Sequence, residues 1–99
     1  MRLVTEKSIR AFLNGKNTAV SNTMVADDRL YLFGNCIAKI ENGKLFVRIY
    51  YNSNTTRERL NGFSEFGYNI RVTQKNWMPF INGKEITDEM AWVEINKKA

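Results

Sequence analysis

The sequence predicts an α+β fold: a small antiparallel β-sheet of about five to six strands built from hairpins, with an N-terminal helix and a short middle helix. Three observations carry this. Apolar residues around Asn42-Gly43 alternate with a period of two in perfect register across the turn. Ile9, Phe12 and Leu13 fall at helical spacing. Asn-Gly occurs four times, at 14–15, 42–43, 61–62 and 82–83, and both residue types tolerate the positive φ that tight turns and helix ends require. The 99 residues, 43% hydrophobic, fit one domain spanning 1–99, with 96–99 expected as a frayed tail.

The first element is a helix from about Glu6 to Asn14. Thr5 is its expected cap, Ile9, Phe12 and Leu13 form its apolar stripe, and Gly15 ends it. Thr18 to Asp28 then suggests an edge strand through Val20, Met24 and Val25, and Arg29–Phe33 reads as a strand entering a turn at Gly34-Asn35. About Asn42-Gly43, two-residue hairpin geometry puts Glu41 opposite Lys44, Ile40 opposite Leu45, Ala38 opposite Val47 and Cys36 opposite Ile49. Cys36, Ala38, Ile40, Leu45, Val47 and Ile49 then share an apolar face. Ile37, Lys39, Glu41, Lys44, Phe46 and Arg48 share the other.

Thr55 and Glu58 have capping-box spacing, so a short helix is expected there, ended by Gly62 and pinned by Leu60 and Phe63. Tyr68–Thr73 alternates as a strand with Tyr68, Ile70 and Val72 inward. A second hairpin is expected about Asn82-Gly83, and Pro79 puts its first strand at an edge or makes it short. Ala91–Ile95 closes the fold.

Composition excludes several functions. There is no histidine and one cysteine, Cys36, so a structural zinc site is excluded and no cofactor or metal is expected. Cys36 on an apolar face reads as a small buried hydrophobe. No Gly-rich phosphate loop or nucleophile elbow is present, and the chain is read as a non-enzyme. Apolar runs are only a few residues long and the N-terminus turns polar at once, which predicts a soluble cytosolic protein without a membrane partner. Net charge is +5 and unevenly placed. Seven basic residues face three acidic ones between Lys39 and Lys75, whereas one lysine faces four acids between Lys84 and Ile95. A polarised surface of this kind concerns partners more than fold.

Three constellations bear on what is bound. Lys44, Phe46, Arg48 and Tyr50 alternate along one strand opposite Lys39, a basic and aromatic face suited to stacking bases and holding phosphates, with Arg71 and Lys75 as further cations. The alternative is that a helix covers this face and the cations snorkel out. Arg57 and Arg59 flank Glu58 in the middle helix and, with Arg48 and Tyr50, form the expected partner-binding site. Capping alone would also explain Thr55 and Glu58. Glu85, Asp88, Glu89 and Glu94 beside Trp92 form the competing acidic surface, which is otherwise a solvated face.

At Leu32-Phe33-Gly34-Asn35-Cys36-Ile37-Ala38 and Asn54-Thr55-Thr56-Arg57-Glu58-Arg59-Leu60-Asn61, then Trp77 and Asn82-Gly83, the chain resembles a set of small bacteriophage and prophage proteins of unknown function. The resemblance attaches no activity to any residue. It implies a phage origin and residence in a bacterial host cytoplasm. By analogy with small phage accessory proteins, it also implies binding that inhibits or redirects a host protein or ribonucleoprotein complex, a defence system such as CRISPR among them. Nucleic acid is the alternative partner. The sequence leaves the oligomeric state open, a homodimer included.

Overall fold

Two-residue turns build the larger sheet. The computed structural model describes residues 2–99. In it, β1 (Thr18–Val20), β2 (Thr23–Ala26), β3 (Arg29–Leu32), β4 (Asn35–Glu41) and β5 (Lys44–Val47) follow one another with two residues between each pair. Asp27-Asp28, Phe33-Gly34 and Asn42-Gly43 carry positive φ at both positions, the turn whose twist matches that of the strands. The last strand, β9 (Val93–Ile95), adds antiparallel to β5, giving the order β1-β2-β3-β4-β5-β9. A second sheet, β6 (Val72–Lys75), β7 (Met78–Ile81) and β8 (Lys84–Glu85), is joined by turns at Asn76-Trp77 and Asn82-Gly83. Helices α1 (Leu3–Leu13) and α2 (Asn54–Asn61), the latter running into a 3₁₀ turn at Gly62–Phe66, complete the α+β fold.

The hairpin about Asn42-Gly43 has the predicted register, Glu41 opposite Lys44, Ile40 opposite Leu45 and Ala38 opposite Val47. Its face assignment fails at one end. Between β3 and β4 the register shifts: Leu30 pairs with Ala38 but Tyr31 pairs with Cys36, so Ile37 is the extra residue of a β-bulge. The bulge turns Ile37 inward beside Ala38, and Ile37 is buried in the core with Leu30, Leu45, Val47 and Ile49. Cys36 instead pairs with Tyr31 on the opposite face, where it is buried beneath Arg29 and Arg48. The strand pairing ends at Val47, so Ile49 reaches the core without a partner at Cys36.

Helix α1 starts three residues earlier than expected, with Arg2 and not Thr5 at its N-cap. It lies over β1, β2 and β3 and buries Ile9 and Phe12, with Phe12 edge-on to Phe63 at 5.6 Å between ring centres. Gly15, at φ 69°, ends it as predicted. Helix α2 also starts early. Ser53 Oγ accepts the Thr56 N–H at 3.1 Å, so Ser53 is the cap and the Thr55–Glu58 capping box does not form. Gly62 continues into the 3₁₀ turn in right-handed conformation, and Gly67 at φ 90° makes the actual stop.

Thr5 and Glu58 are diverted to another task. Arg59 is 2% exposed and its guanidinium lies between α1, α2 and the β1–β2 turn. Its Nε donates to Thr23 Oγ1 at 3.0 Å, Nη1 to Thr5 Oγ1 at 2.8 Å and to Glu58, and Nη2 to Asn22 Oδ1 at 3.1 Å. Thr5 in turn donates to Glu58. No buried side-chain N or O among the described residues lacks a partner, so the network is complete.

The smaller sheet is attached by asparagines. Asn61 gives its Nδ2 to the Val72 carbonyl at 2.9 Å and takes the Val72 N–H at 2.7 Å, acting as a strand partner from the end of α2. Ile70, Val72 and Ile81 join the common core, although regular pairing begins only at Val72 and not at Tyr68. Pro79 lies in the central strand of this sheet, not at its edge. It is tolerated because β7 is short and β8 ends before it, while the Ile86 N–H still reaches the Pro79 carbonyl at 2.9 Å. The C-terminal residues are not frayed. Asn69 N–H donates to Asn96, Tyr68 bridges to Lys97, and Lys98 N–H donates to Gly67.

Two stability predictions follow from burial. Val47→Asp places a charge at a fully buried site and should lower stability by on the order of 4 kcal/mol or more; a melting curve like the parent's would refute the register. Arg59→Met should cost about 3 kcal/mol, the low end for a broken buried pair because Glu58 keeps 30% of its side chain in water. Arg59→Lys should rescue little, since one ammonium cannot reproduce the forked bonds to three segments. Urea midpoints of the three chains decide this.

Candidate interaction surface

The basic and aromatic face predicted from the sequence exists, but its parts are committed to one another. On the side of the six-stranded sheet away from α1, Lys39 Nζ stands 5.6 Å from the Phe46 ring centre and 4.6 Å from that of Trp92. Arg48 stacks on Trp92 at 4.2 Å and on Tyr50 at 5.2 Å, with its Nε donating to the Cys36 carbonyl at 2.8 Å. Phe46, Lys39, Trp92, Arg48 and Tyr50 thus form an alternating ladder, and Lys39 also pairs with Glu41 at 3.3 Å. Cation–π contacts of this kind are worth about 0.5–2 kcal/mol each and hold the chain around Trp92 against the sheet. No helix covers the face; Trp92 does. Lys44 is exposed at the hairpin end, Lys75 belongs to the other sheet and Arg71 just precedes that sheet's first strand.

The two arginines of α2 part company. Arg59 is inside, bound to Thr5, Thr23, Asn22 and Glu58, so it does not form an outward pair with Arg57. Arg57 is half-buried at the opposite side of the helix. Its Nη1 donates to Asn52 and to Gln74 Oε1 at 3.1 Å, and Nη2 donates to Asn54. All three acceptors are neutral amides. Asn52 also donates to Gln74 at 3.2 Å and to the Trp77 carbonyl at 3.1 Å, so the Asn76-Trp77 turn is tied to the strand-to-helix segment beside Arg57.

Three large exposed aromatics were not among the residues singled out from the sequence for binding: Trp77 and Tyr51 adjoin this cluster, and Phe33 shares a cleft with Tyr51. Trp77 is 86% exposed, Tyr51 69% and Phe33 67%. Phe33 and Tyr51, with Tyr50, Ile37, Ser53 and Thr55, line a mainly apolar cleft of about 210 Å³. The backbone beneath them is unusual. Phe33 has φ 52°, Tyr50 59° and Trp77 68°, a region sparsely populated by bulky L-residues. At Tyr50 the Tyr51 N–H returns to the Ile49 carbonyl at 2.6 Å, a strained γ-turn that directs Tyr51 to solvent. Trp77 occupies the second turn position, where Gly stands in the Asn42-Gly43 and Asn82-Gly83 turns. That was the available signal: Asn76-Trp77 joins two strands as Asn-Gly does, with the wrong residue for stability.

The acidic surface lies elsewhere. Glu85 and Asp88, with Ile81, Ile86 and Trp92, line a cleft of about 250 Å³, and Glu89 is held by its carbonyl, which accepts the Tyr50 N–H at 2.8 Å. Among the described residues no group of three or more His, Cys, Asp or Glu side chains is placed to hold a metal ion, and no helix is long and apolar enough to cross a membrane.

The structure is a small α+β domain that exposes Phe33 and Trp77 at two hairpin turns and Tyr51 in the segment leading into α2. Residues 1–98 match the family described as Kyanoviridae Gp96 protein, and the chain belongs to that phage protein family. No curated protein and no solved structure matches it.

Strain at these tips has a measurable consequence. Trp77→Gly restores Asn-Gly at a two-residue turn and removes only an exposed side chain. It should stabilise the fold by about 1 kcal/mol, which in a domain of this size raises Tm by roughly 4–8 °C. Phe33→Asn should act in the same direction. Thermal unfolding of both variants measures it, and a lowered Tm would show that the aromatics pack instead of straining the turns.

Proposed function

We propose that this phage protein is a non-enzymatic accessory protein that binds a host protein or ribonucleoprotein complex and inhibits or redirects it. Host defence assemblies, CRISPR complexes included, are the class to test first. The observation that supports this best is the exposure of Phe33, Tyr51 and Trp77, two of them on positive-φ backbone and the third just after positive-φ Tyr50. Tryptophan, tyrosine and arginine are the types that dominate interface energies when desolvated against a partner. A protein that keeps them exposed at some expense of stability favours a binding role.

The binding surface expected from the sequence, Arg48, Tyr50, Arg57 and Arg59, is accordingly narrowed. Tyr50 lines the cleft with Phe33 and Tyr51, Arg57 is tied through Asn52 to the Trp77 turn, Arg48 supports Tyr50 through the ladder, and Arg59 acts inside the fold. Nucleic-acid binding by Lys39, Lys44, Phe46, Arg48, Tyr50, Arg71 and Lys75 is the second proposal. It is weaker because Phe46, Tyr50 and Trp92 already stack on the protein's own cations.

Capture from host lysate, with and without nuclease, tests the choice. Binding should survive nuclease and depend shallowly on salt. Trp77→Ala and Tyr51→Ala should each weaken it at least about tenfold, equal to 1.4 kcal/mol. Capture lost on nuclease treatment, with a steep salt dependence, would instead support the nucleic-acid proposal. Loss on neutralising Glu85, Asp88 and Glu89 alone would move the site to the acidic surface.

A further inference from the structure

We propose that Arg57 is a preformed socket for a carboxylate of the partner, and that the ligand of this end is a protein segment carrying an Asp or Glu next to an apolar side chain. This rests on the proposal that the aromatic end is the binding surface and specifies its chemistry. A guanidinium has five N–H donors. Nη1 uses two, on Asn52 and Gln74, and Nη2 uses one, on Asn54, leaving Nε–H and one Nη2–H without a protein acceptor. The three amide oxygens fix the plane of the group but do not neutralise it. The salt bridges of the described residues involve Arg10, Lys39 and Arg59, and none reaches Arg57.

An oriented, uncompensated guanidinium with two open donors is complementary to a carboxylate, which accepts two parallel bonds. Phosphate would also fit one arginine, but a nucleic-acid strand needs cations repeated along its backbone. Here a single guanidinium sits among neutral amides and aromatics, the composition of a protein–protein hot spot. The apolar cleft between Phe33 and Tyr51, lined also by Ser53, Thr55 and Thr56 just before Arg57 in the chain, has room for one aliphatic or aromatic side chain of the same ligand. Because Asn52 holds Arg57, Gln74 and the Trp77 carbonyl together, the charge and the aromatic tip form one rigid unit.

Panning a random dodecapeptide library against the whole protein tests this, with an oligothymidylate of matched length as the nucleic-acid probe. Enriched peptides should share Asp or Glu beside an apolar residue. A synthetic peptide from that set should lose at least about tenfold in affinity when its acid becomes the amide, and as much with Arg57→Gln, while the two changes together should do no more than either. Arg57→Lys should bind between the two, and melting curves confirm that each variant is folded. The proposal is overturned if no peptide is enriched, if enriched peptides need no acid, if the two losses simply add, or if the oligothymidylate binds more tightly. Lysate capture separates the levels. If Trp77→Ala abolishes capture and Arg57→Gln does not, the binding surface stands and the carboxylate socket falls; if neither matters, both fall.

Discussion

Buried Arg59 is the constraint on which the arrangement of elements depends. A guanidinium removed from water must have its donors met, because an unpaired buried charge costs several kcal/mol. The acceptors come from α1 (Thr5), from the β1–β2 turn (Asn22) and the start of β2 (Thr23), and from α2 itself (Glu58). These segments lie up to 54 residues apart, so only one packing of the helices on the sheet satisfies the group. It also fixes the rotation of α2. With Thr56, Arg59 and Leu60 inward, Arg57 lies about 200° around the helix from Arg59 and falls on the flank of α2, half-buried.

Arg48, Arg57 and Arg59 lie within a dozen residues, carry the same charge and do three different things. Arg48 is mortar between Trp92 and Tyr50. Arg59 is a structural cross-link. Arg57 is oriented by amides and left without a counter-charge. Counting basic residues between Lys39 and Lys75 therefore overstates the charge available to a partner. Lys39 is paired and stacked, and Arg59 is internal, so the basic middle of the chain is much less of an electrostatic surface than its sequence balance implies.

What could be read from the sequence was local. The Asn42-Gly43 hairpin was legible because turn chemistry and a period of two agreed, and the Asn82-Gly83 turn for the same reason. The bulge at Ile37 was not, because it arises from β3, whose bulky Leu30 and Tyr31 pair across β4 with one residue to spare. Thr55 and Glu58 had the right spacing for a cap, but Ser53 capped first, and the tertiary demand of Arg59 took Glu58. Asn14-Gly15 and Asn61-Gly62 look identical in sequence, yet only Gly15 adopts positive φ. Asn61 serves as a side-chain strand partner for Val72, and the chain beyond it continues as a 3₁₀ turn. The interaction surface was the least legible part, since exposure of Phe33, Tyr51 and Trp77 depends on turn positions that residue type alone disfavours.

That conflict is informative in itself. At Asn42-Gly43 and Asn82-Gly83 the turn residues suit the backbone, and those tips carry no large side chain. At Phe33-Gly34 and Asn76-Trp77 the same backbone carries an aromatic, although left-handed φ costs a bulky L-residue about 1–2 kcal/mol. Neither ring regains this through packing, since both are mostly in water. A chain able to make the unstrained turn twice elsewhere has no folding reason to make the strained one here. The same holds for Tyr50, whose γ-turn ends β5 abruptly and sends Tyr51 outward instead of extending the sheet. Two of these departures flank the residues that orient Arg57: Asn52, next to Tyr51, takes a bond from Arg57 and donates to the Trp77 carbonyl, while Phe33 shares a cleft with Tyr51. Local strain that coincides with exposed anchors and an open charge is what the proposed binding role would require.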